Sequence, residues 1–72
     1  MKKYDLAIVN LQRALKELND DPAVLEHLAE AYYANREFDN AIAIYRKLLK
    51  LEPEHKEYAD RLRKIRNESG ER

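Results

Sequence analysis

The sequence predicts an all-α fold of four helices arranged as antiparallel helix hairpins, and three observations support this prediction. The chain of 72 residues contains one glycine and two prolines among many charged residues that favour helix. Apolar residues recur at three- and four-residue spacing in four successive stretches, which is the pattern of a helix with one buried face. The sequence also resembles itself at an offset of 34 residues, which indicates a repeated structural unit.

The internal repeat relates the first predicted helix to the third, and the second to the fourth. In the first and third helices, the offset pairs identical residues: Asp5 with Asp39, Ala7 with Ala41, Ile8 with Ile42, Leu15 with Leu49 and Lys16 with Lys50. Conservative pairs extend this match: Tyr4 with Phe38, Leu11 with Tyr45 and Arg13 with Lys47. In the second and fourth helices, it pairs Leu28 with Leu62, Glu26 with Asp60 and Ala31 with Ile65. The repeated unit is therefore a pair of helices.

The first helix is predicted over about residues 4–18, where an apolar stripe lies on one face. The stripe consists of Tyr4, Ala7, Ile8, Leu11, Ala14, Leu15 and Leu18. The segment Asn19-Asp20-Asp21-Pro22 interrupts it and suits the start of another helix, because carboxylates cap free N–H groups and proline is tolerated in a first turn. The second helix is predicted over about residues 22–34, with Leu25, Leu28, Ala29 and Tyr32 facing inward.

The third helix is predicted over about residues 39–51, capped by Asp39 and ended by Pro53. Its inward residues are Ala41, Ile42, Tyr45, Leu48 and Leu49. The fourth helix is predicted over about residues 56–68, with a thin apolar stripe of Tyr58, Ala59, Leu62 and Ile65. We expect Leu28, Tyr32, Ala41 and Tyr45 to meet between the second and third helices, with Leu62 and Ile65 closing that layer.

Residues 22–55 resemble one complete unit of the tetratricopeptide repeat family. The first-helix positions of that family match Leu25, Leu28, Ala29 and Tyr32, and the second-helix positions match Ala41, Tyr45 and Pro53. Leu25 replaces a frequent tryptophan, Ala29 replaces glycine, and Leu48 stands where a small residue is usual. Arg36 occupies the usual glycine position of the turn, so we expect Asn35 to adopt the left-handed conformation that ends the helix.

The resemblance implies a right-handed superhelix of helix hairpins in a single domain. Residues 1–21 would form the second helix of a partial repeat, residues 22–55 a full repeat, and residues 56–72 a terminal capping helix and tail. Gly70 falls in the same turn position as Arg36. This phasing is typical of the end of a longer array, an excised fragment or an engineered unit, and the sequence leaves these three origins open.

Composition excludes several classes of function. Fourteen basic residues balance fourteen acidic ones, so the chain has no overall attraction to nucleic acid or membrane. The absence of cysteine excludes disulfides and thiol catalysis and fits a reducing compartment such as the cytoplasm. No apolar run is long enough to span a bilayer, and Met1-Lys2-Lys3 is followed by an amphipathic helix rather than by a secretory signal.

Candidate catalytic chemistry is sparse. His27 with Glu30, and Glu52 with His55, have the three-residue spacing that places two metal ligands on one helix face, but a metal site needs three or four converging ligands. Ser69 is the only serine, and no threonine or cysteine is available as a nucleophile. The sequence therefore predicts a non-enzymatic protein without metal or cofactor.

A weak nucleic-acid contact through the fourth helix is a third possibility. Its basic residues are Arg61, Arg63, Lys64 and Arg66. Acidic residues alternate with them at helical spacing, and the helix has no adjacent aromatic platform. A solvated charged face is therefore the favoured interpretation.

The resemblance implies a scaffold that binds a protein or peptide in a groove lined by the first helices of successive repeats. The positions that match the groove are Ala23, Glu26, Glu30, Tyr33, Ala34, Glu57, Asp60, Lys64 and Asn67. Four of these residues are acidic and one is basic, so a basic peptide segment is expected as partner. The alternative is a purely structural unit, designed or excised, that has no ligand.

Self-association is a further expectation. In the resembled architecture the first helix would lack one neighbour, and part of its apolar stripe would stay open. Leu6 and Val9 lie on roughly the opposite side of the same helix, where a surface helix is ordinarily polar. The residues predicted to contact a second copy are Leu6, Ile8, Val9, Leu11 and Leu15, and a two-fold homodimer or a swapped dimer would bury them.

Overall fold

A computed structural model of the protein describes residues 3–18 and 21–69, with residue 18 described by its backbone alone. The described residues form four α-helices, which confirms the predicted all-α fold: α1 (Lys3–Leu18), α2 (Pro22–Ala34), α3 (Phe38–Leu51) and α4 (Lys56–Glu68). The bounds of α2 and α4 are those predicted, whereas α1 and α3 each begin one residue earlier. Asn19, Asp20, Gly70 and the side chain of Leu18 lie outside the described part of the chain.

The helices pack in chain order, with α1 on α2, α2 on α3 and α3 on α4. The Cα atoms extend over 31 × 29 × 14 Å. A dimension of 14 Å leaves room for little more than one helix on top of another, since packed helix axes lie about 8–10 Å apart. The molecule is therefore a flat array of neighbouring helices and not a closed four-helix bundle.

The buried core runs through the middle of this array. It contains the four predicted inward residues of α2, four of the five predicted for α3, and Tyr58 and Ile65 of α4, together with Ile8 of α1. The members are Ile8, Leu25, Leu28, Ala29, Tyr32, Ala41, Ile42, Tyr45, Leu48, Tyr58 and Ile65. Leu49, Ala59 and Leu62 are only partly buried. The predicted core between α2 and α3 is confirmed, and Leu62 packs against its edge.

The apolar stripe of α1 is only partly covered, as the sequence predicts. Tyr4 is 42% exposed and lies in the uncovered part of the stripe. Its counterpart in the repeat, Phe38, is partly buried and lies 5.8 Å from the ring of Tyr33, between ring centroids. That contact comes from α2, which precedes α3 in the chain. No helix in the described part of the chain covers the start of α1 in the way that α2 covers the start of α3.

The start of α2 agrees with the sequence prediction. Asp21 is the N-cap, and its Oδ1 accepts hydrogen bonds from the N–H groups of Ala23 at 2.9 Å and Val24 at 3.3 Å. Pro22 follows in the first turn. These bonds satisfy two of the N–H groups that have no partner within the helix, which stabilises its first turn.

The turn that ends α2 differs from the prediction. Asn35 has φ −86°, and Arg36, with φ 61°, adopts the left-handed conformation instead. The Glu37 N–H donates to the Tyr32 carbonyl at 2.8 Å and the Arg36 N–H to the Tyr33 carbonyl at 3.0 Å. This pair of bonds is the Schellman motif, which requires a left-handed residue at the position that Arg36 holds. The glycine position of the repeat therefore keeps its backbone geometry without glycine.

The cap predicted for α3 is also wrong. Glu37 is the N-cap residue and makes no side-chain capping bond, while Asp39 lies inside the first turn. The carboxylate of Glu37 instead accepts bonds from the amide groups of Asn35 at 2.6 Å and Asn40 at 3.0 Å. These bonds connect the turn to the start of α3. The side chain of Glu37 therefore does not cap the first N–H groups of α3.

Candidate functional site

The candidate site is the surface that α2 and α4 share above α3, here called the α2/α4 groove. The Tyr33 hydroxyl donates a hydrogen bond of 2.5 Å to Oε1 of Glu68. Tyr33 lies near the end of α2, and Glu68 ends α4. The bond therefore joins the C-terminal ends of the two helices and defines one end of the groove.

Tyr45 of α3 forms the floor of the groove with Tyr58 of α4. Both residues are buried, and their ring centroids lie 6.2 Å apart. Burial raises the pKa of the Tyr45 hydroxyl to about 12. The cationic Arg61 opposes this rise in pKa. The Tyr45 hydroxyl therefore remains neutral at physiological pH.

Three carboxylates converge on the same hydroxyl from two helices. Glu30 and Glu26 of α2 and Glu57 of α4 each raise the pKa of Tyr45 further. Burial is also the main cause of the raised pKa of Tyr58, and the charge of Glu26 is the next. Glu26 and Glu57 thus act on both tyrosines and Glu30 acts on Tyr45, so that three acidic charges from α2 and α4 oppose the single cationic charge of Arg61 at Tyr45.

At the closed end of the groove, the pKa of Tyr33 is raised chiefly by its hydrogen bond to Glu68. Burial and the charge of Glu68 add to the rise, whereas the charges of Arg61 and Arg36 lower the pKa. Arg61 thus acts on both Tyr33 and Tyr45 and lies between the floor and the closed end.

The nine residues predicted for the groove occupy accessible positions. Seven are exposed, namely Ala23, Glu30, Ala34, Glu57, Asp60, Lys64 and Asn67, and two are partly buried, Glu26 and Tyr33. The structure brings Glu26, Glu30 and Glu57 together around Tyr45. Asp60 differs, because its carboxylate lies 3.7 Å from the guanidinium of Arg63. It belongs to the edge of α4 and contributes less to the groove potential.

Arg61, Glu68 and Tyr45 take part in this arrangement but were not among the predicted groove residues. Arg61 and Glu68 follow Glu57 at spacings of four and eleven residues, which place all three on one side of a helix. That spacing could have identified Arg61 and Glu68 from the sequence. Tyr45 was correctly predicted as buried, but its role as the floor depends on packing between helices.

The basic residues of α4 do not form one patch. Arg61 faces the groove acids, and Arg63 pairs with Asp60 at the exposed edge. At about 100° per residue, Arg63 and Arg66 point within about 60° of each other, whereas Arg61 points about 140–160° away from both. A nucleic-acid contact through this helix stays a prediction, and this geometry does not favour it.

The two histidines differ in their surroundings. His27 is exposed on α2. His55 precedes α4, and its ring stacks on Tyr58 with centroids 3.7 Å apart and an interplanar angle of 11°. Within residues 3–18 and 21–69, no group of three or more His, Cys, Asp or Glu side chains could hold a metal ion. No helix of that part of the chain is long and apolar enough to cross a bilayer.

The residues predicted for self-association divide into three kinds. Ile8 is only 6% exposed and packs in the core, so its assignment to a contact surface is wrong. Leu11 and Leu15 are partly buried against the core. Leu6 and Val9 are 58% and 43% exposed, which makes them two of the most accessible large apolar residues in the described chain.

Comparison with known proteins gives the family. A family model described as tetratricopeptide repeat matches residues 1–65. No curated protein and no solved structure matches the chain. Members of the matching family generally lack enzymatic activity and typically bind proteins or peptides. Because the match covers most of the chain, and because the described residues form helices in the predicted order, the protein belongs to the tetratricopeptide repeat family.

Proposed function

We propose that this chain is a non-catalytic protein-interaction module whose α2/α4 groove binds a basic segment of a partner protein. The observation that carries the proposal is the convergence of Glu26, Glu30 and Glu57 around the buried Tyr45. A lysine or arginine in the groove would meet three carboxylates over a floor of tyrosine. Such complementarity selects the partner and accelerates association.

The shape of the groove favours a peptide rather than a small molecule. Its sides are helix surfaces with exposed residues, and its floor is formed by Tyr45 and Tyr58. The bond between Tyr33 and Glu68 closes one end. The partly buried ring of Tyr33 supplies apolar contact area to the stem of a long basic side chain, while the carboxylates bind its charged end.

Peptide titration tests this proposal. Two fluorescent peptides of equal length, one rich in lysine and one rich in glutamate, are titrated with the protein and followed by anisotropy. We expect the lysine-rich peptide to bind more tightly, with an affinity that falls as salt rises. Glu30→Gln should weaken its binding about five-fold, or about 1 kcal/mol, the upper range for an exposed charge pair.

Glu17→Gln is the matched control. Glu17 is exposed on α1, and the substitution changes the net charge by the same amount outside the groove. An equal loss of affinity in both variants would mean that overall charge, not the groove, attracts the peptide. Tighter binding of the glutamate-rich peptide would contradict the basic-partner proposal. Binding of neither peptide would favour the purely structural unit.

Nucleic acid is tested in the same titration with a fluorescent single-stranded DNA. Our proposal predicts that the DNA binds more weakly than the lysine-rich peptide at every salt concentration. DNA binding that exceeds peptide binding, and that Arg63→Glu abolishes, would instead support the contact through α4.

Self-association is a second candidate function, supported by the exposure of Tyr4, Leu6 and Val9 on α1. At about 100° per residue, Leu6 and Val9 lie within about 60° of each other, whereas Tyr4 lies on another side of α1, near the partly buried Leu11. The helix therefore has two apolar sides that could form a contact surface. Light scattering over a wide range of protein concentration measures it. We expect the average mass to rise from that of a monomer to that of a dimer. A monomeric mass at the highest concentration would contradict self-association.

A further inference from the structure

The internal repeat identifies which side of α1 is open. Ala41, Tyr45 and Leu48 of α3 are 0%, 2% and 0% exposed and belong to the buried core. Their counterparts in α1, at an offset of 34 residues, are Ala7, Leu11 and Ala14, and each is only partly buried. The same stripe is therefore covered in α3 and partly open in α1.

A different side of α1 already packs on α2. Ile8 is buried in the core, and Nε2 of Gln12 donates a bond of 2.9 Å to the Tyr32 hydroxyl. Nδ2 of Asn35 donates one of 2.9 Å to Oδ1 of Asp5. These contacts fix α1 against α2 on the side of Ile8 and Gln12, which point about 90° and 130° around the helix from the centre of the partly open stripe. By analogy with α3, its occupant is an antiparallel amphipathic helix.

A second copy could offer α4, which is the repeat counterpart of α2, but its surface does not fit. The α2 residues Ala29 and Tyr32 are 0% and 9% exposed at the contact with the core. The α4 residues at the corresponding positions are Arg63 and Arg66. Burying two guanidinium groups against alanines and leucines is costly. The α4 helix of a second copy is therefore a poor occupant.

The α1 helix of a second copy does fit. Tyr4 and Ala14 are each five residues from Val9, and Ala7 and Leu11 are each two residues from it. An antiparallel pair with its two-fold axis at the level of Val9 therefore places Ala7 opposite Leu11 of the other copy, and Tyr4 opposite Ala14. At about 100° per residue, these four residues lie within a sector of about 80°. Each contact joins a large side chain to a small one, which favours close packing.

We propose that a second copy of this chain covers the open side of α1, with the two α1 helices antiparallel and Ala7 of each copy against Leu11 of the other. This surface rests on the proposed self-association and adds its location and register. Leu6 and Val9 point about 120° and 180° away from the centre of the contact, so both stay outside it. A single pair of helices of about 24 Å gives a small interface, so the dimer is weak and reversible.

Cysteine cross-linking tests the register, because the chain contains no cysteine. Ala7→Cys and Leu11→Cys proteins are mixed and oxidised mildly, after circular dichroism has verified that both are folded. A disulfide needs Cα atoms within about 7 Å. We therefore expect the mixed pair to form several-fold faster than a disulfide between two copies of either variant. Tyr4→Cys mixed with Ala14→Cys is a second pair, which tests the register independently of Leu11.

Leu6→Cys and Leu51→Cys are the controls, since both positions are exposed and lie outside the proposed contact. They should cross-link slowly. A dimer seen by light scattering in which Leu6→Cys cross-links fastest would overturn this surface while self-association stands. A strictly monomeric protein would overturn both, and mixed cross-linking no faster than cross-linking within each variant would overturn the register.

Discussion

The backbone of Arg36 is held in the left-handed conformation by the turn and not by its own preference. Two backbone bonds close the end of α2 only when this residue has positive φ, and its φ is 61°. A residue with a Cβ atom loses about 1–2 kcal/mol in that conformation. The guanidinium lies 5.6 Å from the centre of the Phe38 ring, and this contact offsets part of the strain.

Arg36→Gly should therefore stabilise the fold by about 0.5–1 kcal/mol, because release of strain exceeds the entropy that glycine adds to the unfolded chain. Urea unfolding measures the change. Asn35→Gly is the control and should destabilise, since the Asn35 amide bonds to Asp5 and Glu37 would be lost. If Asn35→Gly raised stability and Arg36→Gly lowered it, the roles of these two turn residues would be reversed.

Tyr45 gives the fold a specific sensitivity to alkali. Its pKa is about 12 in the folded protein and 10.0 without perturbation, so the unfolded chain loses its proton first. Stability from this group is fully present below pH 10 and is lost as pH rises toward 12, on the order of 2 kcal/mol in all. Tyr45→Phe should lessen the alkaline loss of stability measured by urea unfolding. An unchanged pH profile would show that Tyr45 ionises equally in both states.

At the scale of the helix, the buried residues could be predicted where the helices on both sides belong to this chain. All four inward residues of α2 were predicted correctly, because α1 and α3 cover that helix on two sides. In α1, periodicity identified the apolar stripe that contains Tyr4, and the phase of the repeat predicted that part of this stripe would stay open, in agreement with the 42% exposure of Tyr4. Asn35 was chosen for the turn from its intrinsic preference, whereas the hydrogen-bond pattern assigned that conformation to Arg36.

The acidic character of the candidate groove could be predicted from the sequence, but not every residue that lines it. Positions transferred from the family resemblance included Asp60, which pairs with Arg63 at the edge of α4. They omitted Arg61, whose charge acts on Tyr33 and Tyr45. The rotation of α4 about its axis decides which charges enter the groove, and that rotation depends on how Tyr58 and Ile65 pack.

Ala41 sets the close approach of α2 and α3, and a larger residue there should be harmful. Its side chain is fully buried in the core between these helices. Ala41→Leu should destabilise the fold by about 1–3 kcal/mol through overpacking. Ala43→Leu is the matched control, since Ala43 is exposed on the same helix and should change stability little. A melting temperature of Ala41→Leu equal to that of the parent would refute the tight crossing.

At the scale of the whole molecule, the two ends of the helix array have different surfaces. The open side of α1 presents small and apolar residues, including Ala7 and Ala14. On α4, Arg63 and Arg66 occupy the positions that correspond to Ala29 and Tyr32 of α2. A contact between α4 of one copy and α1 of the next would repeat the packing of α2 on α3 and could continue without closing. We therefore expect the two arginines to act against open-ended growth.

Replacing both arginines by their α2 counterparts should remove this restriction. In the variant Arg63→Ala with Arg66→Tyr, α4 presents an apolar surface like that of α2, and the α1 helix of another copy can pack on it. We expect the mass measured by light scattering to rise beyond that of a dimer as concentration increases.

Adding Leu11→Glu should stop this growth, because a buried carboxylate on the open side of α1 is costly. The control Arg63→Lys with Arg66→Lys keeps both charges and should behave like the parent. If the Ala and Tyr variant also behaved like the parent, factors other than these two arginines would limit assembly at this end.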